Sequence, residues 1–528
     1  MYAYRPTAEK SPAPLAASLG EACERWPERP AVTFGDTTLT YKSLWRQVLS
    51  LAGAYERLGI GAGDRVLCQL RNCPEHVIAV GAAWARGGVH IGADNDLTGA
   101  ELARLVERLG AKALVYQPPH DRPSDLSPLG VVKAAHPDLH VVVHGCAPGR
   151  HLDLATLLQS DPATTVLASD PLEPAIVFLT SGTTGEPKTV LESLAAHWAK
   201  MQLFTDGFQP GAEDVHLLYL PLSHVFGFRL GLLTLLRGGR LVLMERFSPE
   251  RALELIGRER VTVLPAVPTH LRLLHERFDP ARHDTASLRW VLSAAANLPR
   301  ELAEWVYETL DARMMFVYGC SEGFTTVTSE AADILAGSVG SRVFQGPPGT
   351  PADGTVRVVD PDDGTTVAGG KTGEIWYGAA TPVRYWDLPP VAVDGWYRTG
   401  DLGCIDTQER LHVTGRLKEL INRGGLHVST SEVELAMSAH PGISDGAVIP
   451  VPDRVLGEAV CACVVPAGAE APDLGELRTF LGATLARHKL PDELCVVETI
   501  PRTDIGKVDR RALAGEVLSG RPRQRLRP

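Results

Sequence analysis

The 528-residue sequence predicts an α/β protein: a large N-terminal region of parallel α/β sheets with a small β-rich lobe, followed by a small C-terminal α/β domain. Three observations predict it. The chain is too long for one compact core. Strand-like and helix-like segments alternate, as in parallel sheets built from crossover units. Near residue 350 this texture gives way to short alternating runs broken by Gly, Pro and Asp.

Residues 31–36 and Thr38–Tyr41 read as a hairpin around a Gly-Asp turn. Leu44–Leu58 carries apolar residues at helical spacing. Arg65–Leu70 then reads as a strand, Glu75–Arg86 as a helix, Val89–Ile91 as a strand, Glu101–Leu109 as a helix and Ala113–Tyr116 as a strand. The alternation resumes through Val215–Leu220, Gly231–Leu236, Arg240–Met244, Pro249–Glu259, Val261–Leu264 and Pro268–Arg277. Gly354–Val359, Gly373–Tyr377 and Trp396–Thr399 supply the β-rich lobe. The last unit places helices near Ser431–Ser438 and Asp473–Arg487, and strands near Asp445–Val451 and Ala459–Val465. A boundary at Gly415–Lys418 divides residues 1–417 from residues 418–528.

The net charge of −11 argues against nucleic acid as a partner, because phosphate binding needs a basic surface. The arginines after Gly520 read as a frayed, solvated terminus. Nine cysteines without regular spacing indicate reduced thiols in a cytoplasmic protein; Cys461 and Cys463 fall on one side of a strand, as core. No secretory signal stands at the N-terminus, and the longest apolar run, around Leu230–Leu236, is far too short for a membrane span.

The strongest local signal is Thr180-Ser181-Gly182-Thr183-Thr184-Gly185-Glu186-Pro187-Lys188, which follows the apolar run Ala175–Leu179. Two glycines allow backbone N–H groups to approach phosphate oxygens, and four hydroxyls and a lysine add donors and charge. Pro187 stands where a Walker A loop needs glycine, so this is not that loop. A flexible surface linker is the bland alternative, but a linker does not ordinarily follow a buried strand and end in Pro-Lys.

Further motifs follow in order: Leu220–Phe228, Tyr318-Gly319-Cys320-Ser321-Glu322, Gly373-Glu374, Gly395–Asp401, Gly415–Ile421 and Pro501–Lys507. With the loop, they resemble the adenylate-forming (ANL) superfamily over about residues 15 to 515, and in appearance come nearest its aryl- and acyl-CoA ligases. The resemblance implies a mobile C-terminal domain hinged at Lys418. It implies a two-step reaction in which ATP and a small acid give an acyl-adenylate and pyrophosphate, and coenzyme A then takes the acyl group. Mg²⁺ is implied as well, held by Glu322 and Thr184.

By the same resemblance, the catalytic residues are Lys507, Lys188, Thr184 and His224. Thr180, the Ser181–Gly185 turn (Gly182 and Thr183 included) and Lys188 hold the phosphates. Ala295, Tyr318, Gly319 and Ser321 surround the base, with Tyr318 stacked on adenine, while Asp401 and Arg416 take the ribose and α-phosphate side. A carboxylate accepts two hydrogen bonds from a diol, and a forked guanidinium suits clustered oxygens. Lys507 reaches into the cleft to offset the repulsion between a carboxylate and a polyphosphate. Arg423, Gly424 and Gly425 line the CoA route. Phe316 replaces the Asn or Gln that usually touches adenine, leaving that contact to backbone groups.

The acid pocket implied is formed by His224, Val225, Phe226, Phe228, Val267, Ala294, Ala295, Ala296, Cys320, Gly323 and Phe324. Its apolar, aromatic and small walls suit an aryl or medium hydrophobic group. Ser223–Gly227 lacks the aspartate that amino-acid activators use for the substrate ammonium. His224 is placed to bind a ring substituent or gate the pocket; His270 reads better as a core histidine. Transfer to a separate carrier protein, transfer to a non-thiol acceptor with an unusual acid such as nitrite, and a non-catalytic nucleotide or acyl sensor are the alternatives. Retention of Lys507, Glu322, Asp401 and Arg416 together weighs against the sensor.

Overall fold

Local chemistry sets the helix ends that frame the sheets. Thr40 starts the helix Tyr41–Arg57, its hydroxyl accepting the Ser43 N–H. Thr98 and Glu101 cap each other's N–H groups at the start of Gly99–Leu109, which Gly110 ends in the left-handed region. The computed structural model describes residues 15–526 other than 96, 168–169, 171, 181–187, 323–324, 341–354, 379–383, 387–391, 394, 425, 469 and 504–505.

Two eight-stranded sheets dominate the N-terminal region. In one, Arg65–Gln69 lies between Val89–Gly92 and Ala111–Tyr116, parallel to both. The hairpin Pro174–Thr180 and Lys188–Ser193 extends the same sheet antiparallel, with Thr180 opposite Lys188. In the other, the parallel run includes Val215–Leu218, Val263–Ala266, Trp290–Ala294 and Arg313–Gly319. Helix Pro74–Ala85 is buried at every residue but Glu75, because both sheets supply its surroundings. Its Trp84 indole donates to the Ala175 carbonyl at 3.0 Å and its ring meets Phe228 edge-on.

A five-stranded antiparallel sheet that includes Val356–Val359, Gly373–Gly378, Trp396–Ile405 and Leu411–Arg416 forms the smaller lobe. A six-stranded sheet follows, and its two apolar clusters draw only on residues between Ile421 and Val517. Cys461 and Cys463 are buried in that core as expected, and none of the nine cysteines forms a disulfide.

Three expectations are corrected. The strand expected at Val261–Leu264 runs Val263–Ala266. The helix expected over Asp473–Arg487 ends at Leu481, followed by a separate short turn at Arg487–Lys489; Gly482 ends the first, and Pro491 disfavours helix ahead of it. The arginine tail is not frayed. Arg523–Arg525 adds an antiparallel strand beside Glu493–Val496, and Glu493 takes Arg523 at 2.7 Å and Arg525 at 3.1 Å. That partner lies thirty positions away in sequence, so a local reading of the charges missed it. Among the described residues no helix is long and apolar enough to cross a membrane.

Candidate active site

Four expected residues meet at one corner. Tyr318 ends the strand Arg313–Gly319, and its hydroxyl donates to Asp401 Oδ2 at 2.6 Å. Arg416 Nε reaches Asp401 Oδ1 at 2.8 Å. The Thr399–Asp401 turn is fixed from beneath. Buried Glu374 accepts the Gly400 N–H at 3.2 Å and the Trp376 indole at 2.7 Å, and Gly400 has a φ of +70°. Glu374, singled out only as part of a motif, thus positions Asp401. Burial raises the Asp401 pKa, while Arg416, Tyr318 and Lys507 oppose that rise.

Lys507 comes to the same corner from the C-terminal domain. Crowding in the cleft, then the charge of Arg416, lowers its pKa, and Asp401 pulls the other way. The residue as a whole is nevertheless exposed. The turn that carries it is pinned on both sides. Thr503 N–H donates to the Lys507 carbonyl at 2.8 Å, and Arg502 clamps Asp445 at 2.7 and 2.9 Å while donating to the Gly506 carbonyl at 3.0 Å. Across the cleft, Thr269 donates to the same carbonyl at 3.4 Å. Gly506 has a φ of +74°, and a Cβ there would sit 3.0 Å from Val267. His270 stacks on Phe247 at 4.1 Å; burial and then Arg502 lower its pKa to about 4. It is half-buried and its Nδ1 has no hydrogen-bond partner among the described residues, so it is not the satisfied core histidine expected; it borders the docked turn.

A second cluster gathers around Lys188, the last residue of the hydroxyl-rich motif. Tyr385 donates to Glu322 at 2.9 Å, and Lys188 Nζ lies 3.5 Å from the same hydroxyl and 5.4 Å from the ring centroid. Tyr385 was not anticipated. The strand Arg384–Tyr385 pairs with Lys188–Ser193, and no short-range signal announces a partner almost two hundred residues away. Ser181, Gly182, Thr183, Thr184, Gly185, Gly323, Phe324 and Gly425 lie outside the described residues.

The expected acid pocket is only partly assembled from adjoining groups. His224 opens the helix Val225–Leu236 and its Nε2 lies 3.2 Å from Asp94, another unanticipated neighbour. Val225, Phe226 and Cys320 are half-buried. Ala294 is buried, whereas Ala295 and Ala296 are exposed, and Ala295 holds a φ of +78°, a strained backbone of the kind that gathers at functional sites. Phe228 faces the core layer beneath, among Trp84, His90, Phe178 and His197. Lys418 sits exposed in the short 3₁₀ turn Leu417–Glu419. Arg423 is engaged by Asp492 at 2.6 and 2.7 Å, and Gly424 turns the hairpin with a φ of +60°.

The family model described as AMP-binding enzyme matches residues 19–384, and that described as AMP-binding enzyme C-terminal domain matches residues 432–507. The chain is 35% identical to a 2-hydroxy-7-methoxy-5-methyl-1-naphthoate–CoA ligase of Streptomyces carzinostaticus, covering 94% of this chain and 92% of that one. It is 32% identical to triostin synthetase I of Streptomyces triostinicus, covering 96% and 95%. The crystal structure of ATP-bound MatB from Rhodopseudomonas palustris superposes with a TM-score of 0.81 at 27% identity, over 96% of this chain and 98% of that one.

Proposed function

Because the chain belongs to the AMP-binding enzyme family and is an adenylate-forming ligase, we propose that it activates an aromatic carboxylic acid with ATP and passes the acyl group to coenzyme A. The acid's carboxylate attacks the α-phosphorus, pyrophosphate leaves, and the thiol then displaces AMP from the acyl-adenylate. The observation that carries this reading is the meeting of Lys507 with Asp401 and Arg416 across the cleft. A cation offered from a second domain offsets the charge gathered as two anions react, and a carboxylate beside it suits the ribose diol. We assign residues 1–417 to the nucleotide and acid sites, and residues 418–528 to a domain that turns about Lys418 between the two steps.

Glu322 is a carboxylate just past the strand Arg313–Gly319, with one oxygen accepting Tyr385 at 2.9 Å. Such a hard oxygen donor suits Mg²⁺, which prefers one or two carboxylates and substrate phosphates. Glu322, with Thr184, would hold the ion, which when bound supplies neutralising charge on the phosphates. Lys188 would neutralise the same phosphates, and Tyr385, which donates to Glu322, would orient that carboxylate. Tyr318 is tied to Asp401, so the base would stack on its ring while the ribose meets the carboxylate.

An aryl acid fits the half-buried Val225, Phe226 and Cys320 walls, and the naphthoate–CoA ligase likeness supports the same class. ATP–pyrophosphate exchange across benzoates, naphthoates, cinnamates, fatty acids and amino acids, with products analysed with and without CoA, tests the reading. Acid-dependent exchange with one aryl class and a CoA thioester on adding CoA is the expected result. Exchange without a thioester would move the acceptor to a carrier protein or another nucleophile, and no exchange would sink the reading.

A further inference from the structure

Behind the helix Val225–Leu236, four polar side chains are sealed together. Glu192 accepts His197 Nδ1 at 2.7 Å and Arg229 at 2.7 Å, and it also pairs with Lys200. The side chains of Glu192, His197 and Arg229 are at most 4% accessible, and that of Lys200 is 10%. Burial lowers the His197 pKa, which keeps the ring neutral. One carboxylate therefore faces two basic side chains, with burial lowering the Lys200 pKa and Glu192 raising it, and among the described residues no second acid hydrogen-bonds to the group. An uncompensated charge of this kind is costly in an interior. Arg229 Nε and His197 Nε2 also have no hydrogen-bond partner among the described residues.

Lys200 is the most accessible member of the group. Its helix, Leu194–Phe208, packs on the helix Val225–Leu236 and on the strand Thr325–Thr328, the two elements that flank the proposed acid pocket. Phe204, one turn beyond Lys200 along that helix, faces Phe226 of the proposed pocket with ring centroids 6.3 Å apart.

We propose that Lys200 is a specificity-determining residue, presenting its ammonium to an acidic oxygen, a phenolate or second carboxylate, at the end of the acid remote from the reacting carboxylate. The proposal rests on the adenylation reading. A ligand oxygen there supplies the counter-charge that the cluster lacks, and an acid without it leaves the extra cation buried.

ATP–pyrophosphate exchange tests it with matched acids: 3- and 4-hydroxybenzoate, isophthalate and terephthalate against 3- and 4-methylbenzoate. Wild type should favour an oxygen-bearing member by about 10–100-fold in kcat/KM, mainly through KM, as expected for a hydrogen bond to a charged group. The hydroxy and carboxy arms tell the two oxygen sources apart. Lys200→Met should erase the preference and Lys200→Arg should keep it. Tm should not fall in the Met variant, because Glu192 and Arg229 remain as a neutral pair. Lys200→Gln carries the same comparison if the Met variant folds poorly. Equal use of methyl and oxygen-bearing acids by wild type, or an unchanged preference in Lys200→Met, overturns the proposal while leaving adenylation standing. Absence of exchange with every acid overturns the adenylation reading, and this proposal with it.

Discussion

The N-terminal side of the cleft is set into two eight-stranded sheets that seal titratable groups inside, whereas the C-terminal side offers its lysine on a short turn. In the larger region His76, His90, His216 and His270 are held neutral by burial. Among the described residues of the smaller domain no histidine is fully buried, and its buried Glu493 is answered by two arginines. The Lys507 turn is anchored within its own domain by Arg502 and Asp445, but meets the far wall through few groups, Thr269 and Val267 among them. One side is built to hold a geometry at some cost in polar burial. The other presents its lysine on a turn held together within its own domain.

The largest test of that contrast removes the arriving group. Lys507→Ala should slow adenylation by ~10²–10³-fold, the usual loss for one electrostatic donor, yet leave thioester formation from supplied acyl-adenylate nearly unchanged. Equal loss of both half-reactions would mean that the turn does not leave.

Acid should separate the two regions next. The histidines with pKa values lowered to about 4 (His76, His216 and His270) stay neutral in the folded state, while the unfolded chain gains protons below about 6.5. Their stabilising effect is complete above that value and is lost as pH falls toward 4, by about 1.4 kcal/mol per histidine per pH unit. Calorimetry of the full chain from pH 7 to 5 should show the larger region's transition dropping more than the smaller domain's. Parallel shifts would contradict the contrast.

A subtler break lies at the junction. A Cβ on Gly415 would fall 2.1 Å from Ser429 Oγ, which donates to the Thr414 carbonyl at 2.6 Å and caps the helix Thr430–Ser438. Gly415→Ala should cost about 1 kcal/mol from that hydrogen bond and slow adenylation more than thioester formation. Ser429→Gly should restore the adenylation rate in the double variant. The smallest effect should come from the tail. Arg525→Gln removes one of two partners of Glu493 at a half-exposed site, and should lower stability by less than about 1 kcal/mol in denaturant unfolding.

Much of this was legible in the chain because it is local. Helix Pro249–Glu259 carries its own proline start and its apolar face, and the strand Ala175–Leu179 is continuous enough to require burial on both sides. The loop ending at Lys188 and the motifs around Tyr318, Asp401, Arg416 and Lys507 each announce a donor set over a few residues. The over-long Asp473–Arg487 helix passed over the local Gly482, whereas the other main misses are those in which the partner is distant. The arginine tail looked solvated because Glu493 is remote in sequence, and Tyr385 was silent because only strand pairing sets it beside Lys188.

Sequence by itself determined the α/β class, the family and the residue types the chemistry needs, since spacing and short motifs record local backbone geometry. Tertiary structure alone decided which of those residues converge. It set Tyr318 and Arg416 on the two oxygens of Asp401, put Glu374 beneath that turn, and gathered Glu192, His197, Lys200 and Arg229 into one sealed cluster. Burial and charge balance belong to groups brought together by packing, so no window of the chain could show that Lys200 and Arg229 share one buried carboxylate.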